Sequence, residues 1–161
     1  MRLFFLLMEK IILTILILLN TNIAIAKFYI ANPCKKKLAL KSNITSSMIN
    51  KSVGEITIHF LDKNKVKYLG NENGIHSING TKYGSDAIQV ISDTEMNAYG
   101  WCFSINGKVP DKLAGQIKIK STKDRILWFY AFSNYKDGKW TNYCVPSYKA
   151  QKNLGCSKNQ D

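Results

Sequence analysis

The sequence predicts an α+β domain rich in strands, with one short helix and a disulfide framework. Three observations carry that expectation. Short apolar–polar alternations, punctuated by Gly, Asn, Asp and Pro, fill the second half. Only one stretch beyond the N-terminus reads as a helix. All four cysteines follow a segment with the features of an export signal, where an even count reads as two bridges.

At the N-terminus, Arg2, or Lys10 if synthesis starts at Met8, supplies positive charge. Ile11 to Leu19 is an uncharged apolar run, and Ala24-Ile25-Ala26 sets small residues at the positions a signal peptidase reads. Residues 1–26 are therefore expected to be a signal peptide cleaved after Ala26. The run is much shorter than the roughly 20 apolar residues that span a bilayer. No transmembrane segment is expected after cleavage, and the product is expected to be secreted or periplasmic. Removing 26 of 161 residues leaves 135, the size of one domain.

The cysteines are Cys34, Cys102, Cys144 and Cys156. Of the three possible connectivities, two tie down the chain ends. One joins Cys144 to Cys156 and Cys34 to Cys102. The other joins Cys34 to Cys156 and Cys102 to Cys144. The spacing does not choose between them. There is no Cys-x-x-Cys, and His59 and His76 lie far from the cysteines in sequence, so no metal site is expected.

The chain carries +12, and losing Arg2, Lys10 and Glu9 with the signal leaves +11. Such a balance favours an acidic partner surface. The lysines are dispersed, with one compact run at Lys35-Lys36-Lys37, and Arg125 is the only arginine after residue 26. A protein built to read nucleic acid uses arginine for bidentate contacts, so specific nucleic-acid binding is not expected.

Residues 27–53 show no clear period and read as an N-terminal arm held by Cys34. Glu55 to Leu61 alternates, with Ile56, Ile58 and Phe60 on one side and Thr57 and His59 on the other, as a half-buried strand would. Asp62 to Lys65 reads as a turn and Val66 to Leu69 as a second strand, giving a hairpin. Gly70 to Gly84 reads as loop. Ser85 then caps a short helix over Asp86 to Ile91, with Ala87, Ile88 and Ile91 as its apolar stripe. Trp101 to Ile105 is a strand, and Asn106-Gly107 a tight turn whose residues tolerate positive φ. Gln116 to Lys120 alternates cleanly. Ser121 to Asp124 turns into Arg125 to Phe132, apolar on both faces. Tyr135 to Gly138 turns again, Lys139 to Val145 closes the sheet, and Pro146 ends it. The tail, residues 149–161, is polar.

Catalysis finds little support. His59 falls in the expected strand and His76 in the expected loop, neither with an evident nucleophile. Asp93 and Glu95 follow the end of the expected helix, where solvated acids are common. A phosphate loop, a zinc-protease motif and an EF-hand are all missing. A non-enzymatic role is expected.

The aromatic residues suggest binding. Along residues 127–132, Leu127, Phe129 and Ala131 point one way and Trp128, Tyr130 and Phe132 the other. One short helix covers one face, so the opposite face is expected to be an open aromatic platform, with Trp101, Trp140 and Tyr143 nearby.

Tyr99-Gly100-Trp101-Cys102-Phe103-Ser104-Ile105-Asn106-Gly107, followed by the Trp128-Phe129-Tyr130 strand behind Lys123-Asp124, resembles the DUF4430 family. That family is related to the C-terminal β-domain of transcobalamin and intrinsic factor, and shows Gly-Trp-x-Tyr-x-Val-Asn-Gly before a strand bearing Trp and Tyr. The resemblance covers about residues 54–145. It implies a β-grasp-like mixed sheet crossed by one helix, over residues 54–148. In transcobalamin and intrinsic factor the domain closes over a corrinoid together with a large helical domain. No counterpart of that helical domain is expected here, so the cofactor stays unnamed.

The candidate ligand-binding residues are Trp101, Phe103, Asn106, Trp128, Tyr130 and Trp140. Their expected ligand is a small molecule or a protein. The alternative is an interaction or effector protein that meets an acidic partner through its lysines.

Overall fold

The computed structural model describes residues 26–35, 37–150 and Leu154. The expected signal segment up to Ile25 lies outside the described residues, as do Lys36, Cys156 and most of the tail. Strand β1 (Lys27–Ala31) pairs antiparallel with β2 (Leu38–Asn43), where the sequence suggested an irregular arm. Alternation along β1 turns Phe28 and Ile30 into the core. These residues read as aperiodic because β1 is central and apolar on both faces.

Helix α1 (Val53–Lys63) replaces the strand expected over Glu55 to Leu61. The Ile-Thr-Ile run alternates, but the buried set is Val53, Ile56, Thr57, Phe60 and Leu61. Those positions repeat every three or four residues, the period of one helical face. The start is fixed by a capping box. Ser52 Oγ accepts from the Glu55 N–H at 3.0 Å, and the Glu55 carboxylate accepts from the Ser52 N–H. That signal is legible in Ser52-x-x-Glu55 and outweighs the β-branched run.

The hairpin is displaced accordingly. β3 (Tyr68–Asn71) begins in the expected second strand and pairs with β4 (Gly74–Ile78), which lies inside the stretch that read as loop. The Glu72 carbonyl at their turn lies so close to α1 that a Cβ on Gly54 would sit 1.8 Å from it. Gly54 is thus required by a backbone approach. The helix expected over Asp86 to Ile91 is also absent. A single 3-10 turn (Gly84–Ala87) leads directly into β5 (Ile88–Ser92). Ala87 alone is buried there, so no stripe exists to hold a helix down.

β6 (Glu95–Ile105), β7 (Arg125–Lys136) and β8 (Lys139–Pro146) complete the main sheet, whose order is β2-β1-β7-β6-β5 with β8 also on β7. β1 runs parallel to the first part of β7, and every other pair is antiparallel. A hairpin, a helix across one face, and a late strand parallel to the first give the β-grasp-like mixed sheet that was expected. Both expected tight turns are present. Asn106 and Gly107 have φ of 52° and 82°, and Asp137 and Gly138 have 48° and 81°. Residues 116–119 form no named strand. They are held instead to residues 50–53 by backbone hydrogen bonds such as Val53 N–H to the Ile117 carbonyl, 2.8 Å. The core lies between the sheet and the layer of α1 and the β3–β4 hairpin. Leu154 of the otherwise polar tail is also buried in it.

Candidate functional site

Alternation places Ile126, Trp128 and Tyr130 of β7, with Tyr99, Trp101 and Phe103 of β6, on the face under α1. All six are buried. Trp128 Nε1–H donates to Thr57 Oγ1 on α1 at 2.8 Å, and Thr57 donates onward to the Val53 carbonyl. Trp101 Nε1–H donates to Thr81 Oγ1 at 2.7 Å, and the Tyr130 hydroxyl donates to the Lys82 carbonyl at 2.8 Å. Ring pairs such as Phe103–Trp128, 5.0 Å between centroids, tie the two strands together. The aromatic face expected to be open is therefore the covered one. A single helix does not cover it alone: the hairpin and the 79–83 loop cover the rest. Burial disfavours the tyrosinate, so Tyr130 is pushed up to about 12, with the neighbouring Tyr99 hydroxyl adding to the shift.

Asn106 serves the chain itself. Its Oδ1 accepts from the Arg125 N–H at 2.9 Å, and its Nδ2 donates to Asp124 Oδ1 at 3.0 Å. This clamps the turn after β6 onto the start of β7. Of the six candidates, Trp101, Phe103, Trp128 and Tyr130 are core, Asn106 is an exposed turn clamp, and Trp140 is the one aromatic that is exposed.

Trp140 belongs to a different place, the back face of the sheet. There Ala98, Gly100 and Ala131 form a floor of small residues, and a Cβ on Gly100 would meet nothing within 4 Å. Trp140 and Tyr143, 42% and 70% exposed, stand at one side, and the Cys102–Cys144 disulfide closes another. The depression has a volume of about 320 Å³. In a regular strand residues 140 and 143 point to opposite faces. Here register shifts opposite Asn134–Tyr135 and Phe132–Asn134 break that alternation, and both residues line the cleft. Sequence alternation could not have paired them.

A polar ladder fixes the base of β8. Thr141 donates to Asn134 Oδ1 at 2.6 Å, Asn134 donates to Asn97 and Glu95, and Glu95 pairs with Lys136 at 3.2 Å. The Trp140 ring rests edge-on against Tyr135, 5.3 Å away. An exposed indole held on one side and a phenol on a short backbone offer stacking surface to a flat ring.

The disulfide settles one pairing. Cys102 is joined to Cys144, which excludes the connectivity that uses Cys144 with Cys156. Cys34 also takes part in a disulfide. His59 and His76 are exposed on α1 and β4, so His59 is helical and His76 lies in a strand, each unlike its expected setting. Among the described residues no cluster of three or more His, Cys, Asp or Glu side chains could hold a metal, and no helix is long and apolar enough to cross a membrane.

The profile of a family described as a domain of unknown function (DUF4430) matches residues 50–131. The match runs from the cap of α1 to Ala131 on β7. It includes the Gly100–Gly107 stretch and stops short of β8. No curated protein and no solved structure matches the chain.

Proposed function

The chain belongs to the DUF4430 family, and from that premise we propose that it is an exported, non-enzymatic binding module. Its ligand surface is the cleft on the back of the sheet, where Trp140 and Tyr143 stand over Gly100. The observation that carries this reading is the placement of two exposed aromatic rings, Trp140 and Tyr143, beside a floor of small residues. The cleft suits a flat ring, whether a heteroaromatic compound or the apolar face of a sugar. The Cys102–Cys144 bridge supports export, because such a bond persists in oxidising compartments. The apolar run and Ala24-Ile25-Ala26 at the N-terminus support it too.

The relation to the transcobalamin and intrinsic factor β-domain belongs to this proposal as well. The β-grasp-like order and the Gly100-Trp101 to Asn106-Gly107 stretch support it. The cleft is built partly from β8, beyond the matched residues, so its ligand is a property of this chain more than of the family.

Native mass spectrometry of protein purified without reductant from an oxidising compartment tests the reading. A retained small molecule that Trp140→Ala loses is the expected result. A bare chain, with tryptophan emission unmoved by planar heteroaromatics and by oligosaccharides, would overturn it. The +12 charge favours a second reading, an acidic partner on the lysine surface. Binding of that kind weakens as salt rises, whereas stacking in the cleft does not.

A further inference from the structure

The two edges of the main sheet differ in charge. β5 closes one edge and, among the described residues, pairs with β6 alone. It contains no charged residue and exposes Ile88, Val90 and Ile91, with Val90 74% exposed. Exposed Asp86 and Asp93 flank it, and no lysine or arginine occurs from Tyr83 to Gly107 in this basic chain. On the other side β2 is the outermost strand beyond β1 and, among the described residues, pairs with β1 alone, while β8 flanks the later part of β7. β2 exposes Leu38 and carries Lys41, and Lys35 and Lys37 precede it, all three lysines exposed.

An exposed apolar edge strand is a template for another strand. We propose that the occupant is a second copy of this chain, its β2 adding to β5 in a head-to-tail contact. Strand direction favours this without any reorientation. β5 runs with β7, since both are antiparallel to β6. β2 runs against β7, since β1 is parallel to β7 and β2 antiparallel to β1. A copy displaced along the sheet therefore presents its β2 antiparallel to β5, with α1 kept on the same face. Asp86 and Asp93 then meet the lysines around β2. A lysine on an edge discourages most pairings but accepts an acidic one.

The symmetric alternatives are disfavoured. Antiparallel pairing of two β5 strands about Val90 brings Asp86 of one copy near Asp93 of the other, and two β2 strands would face lysine with lysine. A heterologous contact of this kind does not close on itself, and sheet twist turns the growing array into a helix. The strands are short, so association is weak and shows at high concentration and low salt. The inference is independent of the aromatic cleft, which is lined by residues of β6, β7 and β8 and by none of β2 or β5.

Sedimentation velocity on the full disulfide-bonded chain tests it, across concentration up to about 1 mM and at low and high salt. The expected result is mass that grows past the dimer with concentration and falls back with salt. Val90→Lys alone and Lys37→Glu/Lys41→Glu alone should sediment as monomers, while an equal mixture regains association through one intact pair of edges. All three positions are exposed, and circular dichroism confirms that each variant is folded. A monomer under every condition would overturn the proposal. So would a closed dimer that Val90→Lys breaks and the β2 variant leaves intact.

Discussion

The Cα atoms of Cys102 and Cys144 lie 5.9 Å apart although β7 runs between their strands. Strands once removed in a flat sheet are about 9–10 Å apart. β8 must therefore leave the sheet plane and curl over the back face, which the small side chain of Ala131 permits. The bridge ties a cysteine within the family match to one beyond it, and holds Trp140 and Tyr143 where they form the cleft.

Replacing both residues, Cys102→Ser with Cys144→Ser, should lower stability by about 2–4 kcal/mol, because the bridge closes a long loop in the unfolded chain. Urea unfolding without reductant measures it. A loss below about 0.5 kcal/mol would show that the arch is held by β8 packing alone. A non-reduced digest should also contain Cys34 joined to Cys156, the one pairing that the Cys102–Cys144 bond leaves.

Thr57→Val keeps the shape of a fully buried side chain and removes the acceptor of the Trp128 indole N–H. Trp128 is 2% exposed, so that N–H would be left without water, at about 1–3 kcal/mol. Thr122→Val on the exposed turn should change stability by less than about 0.5 kcal/mol. Equal effects from the two substitutions would remove the indole bond from the account of the core.

Two effects oppose each other at Gly54→Ala. Helix propensity favours alanine by about 1 kcal/mol. The new methyl group, however, would meet the Glu72 carbonyl, a backbone group that cannot swing aside. Overpacking of about 1–3 kcal/mol should win, with a net loss of stability in thermal unfolding. A gain in Tm would mean that the β3–β4 turn yields freely.

The capping box predicts acid sensitivity. The Ser52 backbone N–H, and then its hydroxyl, hold the Glu55 carboxyl below its ordinary value of 4.5. The folded state therefore binds this proton less readily than the unfolded state. Its contribution is full above the ordinary value and is lost as pH falls through the lowered one. Glu55→Gln should be less stable than the parent at neutral pH, and the gap should close in that acid range. Ser52→Ala should cost about 1 kcal/mol at neutral pH. A gap that stays constant with pH would place the carboxylate outside the cap.

The turns and the strand-rich half were legible because their signals are local. Asn106-Gly107 and Asp137-Gly138 tolerate positive φ at both residues, and both pairs adopt it. Gln116 to Lys120 alternates like a strand yet pairs with no sheet, since period alone does not supply a neighbour. Glu55 to Leu61 carried two periods at once, and the helical one won because its face brings Thr57 to Trp128 together with Phe60 to Phe28. Ser52-x-x-Glu55 was the local signal that could have decided it.

By itself the sequence determined an α+β, strand-rich chain with an oxidised cysteine framework, tight turns at two Asx-Gly pairs, and a Gly-Trp to Asn-Gly stretch resembling its family. Only the tertiary structure decided which aromatic face is open. Alternation sorts side chains into two faces but does not say which of them a helix, a hairpin and a loop will cover. Trp128 and Tyr130 went under α1 and the 79–83 loop, where their N–H and O–H groups find acceptors in Thr57 and the Lys82 carbonyl. Trp140 and Tyr143 came to one side because a bulge and a bridge, both products of long-range packing, reset the phase of β8.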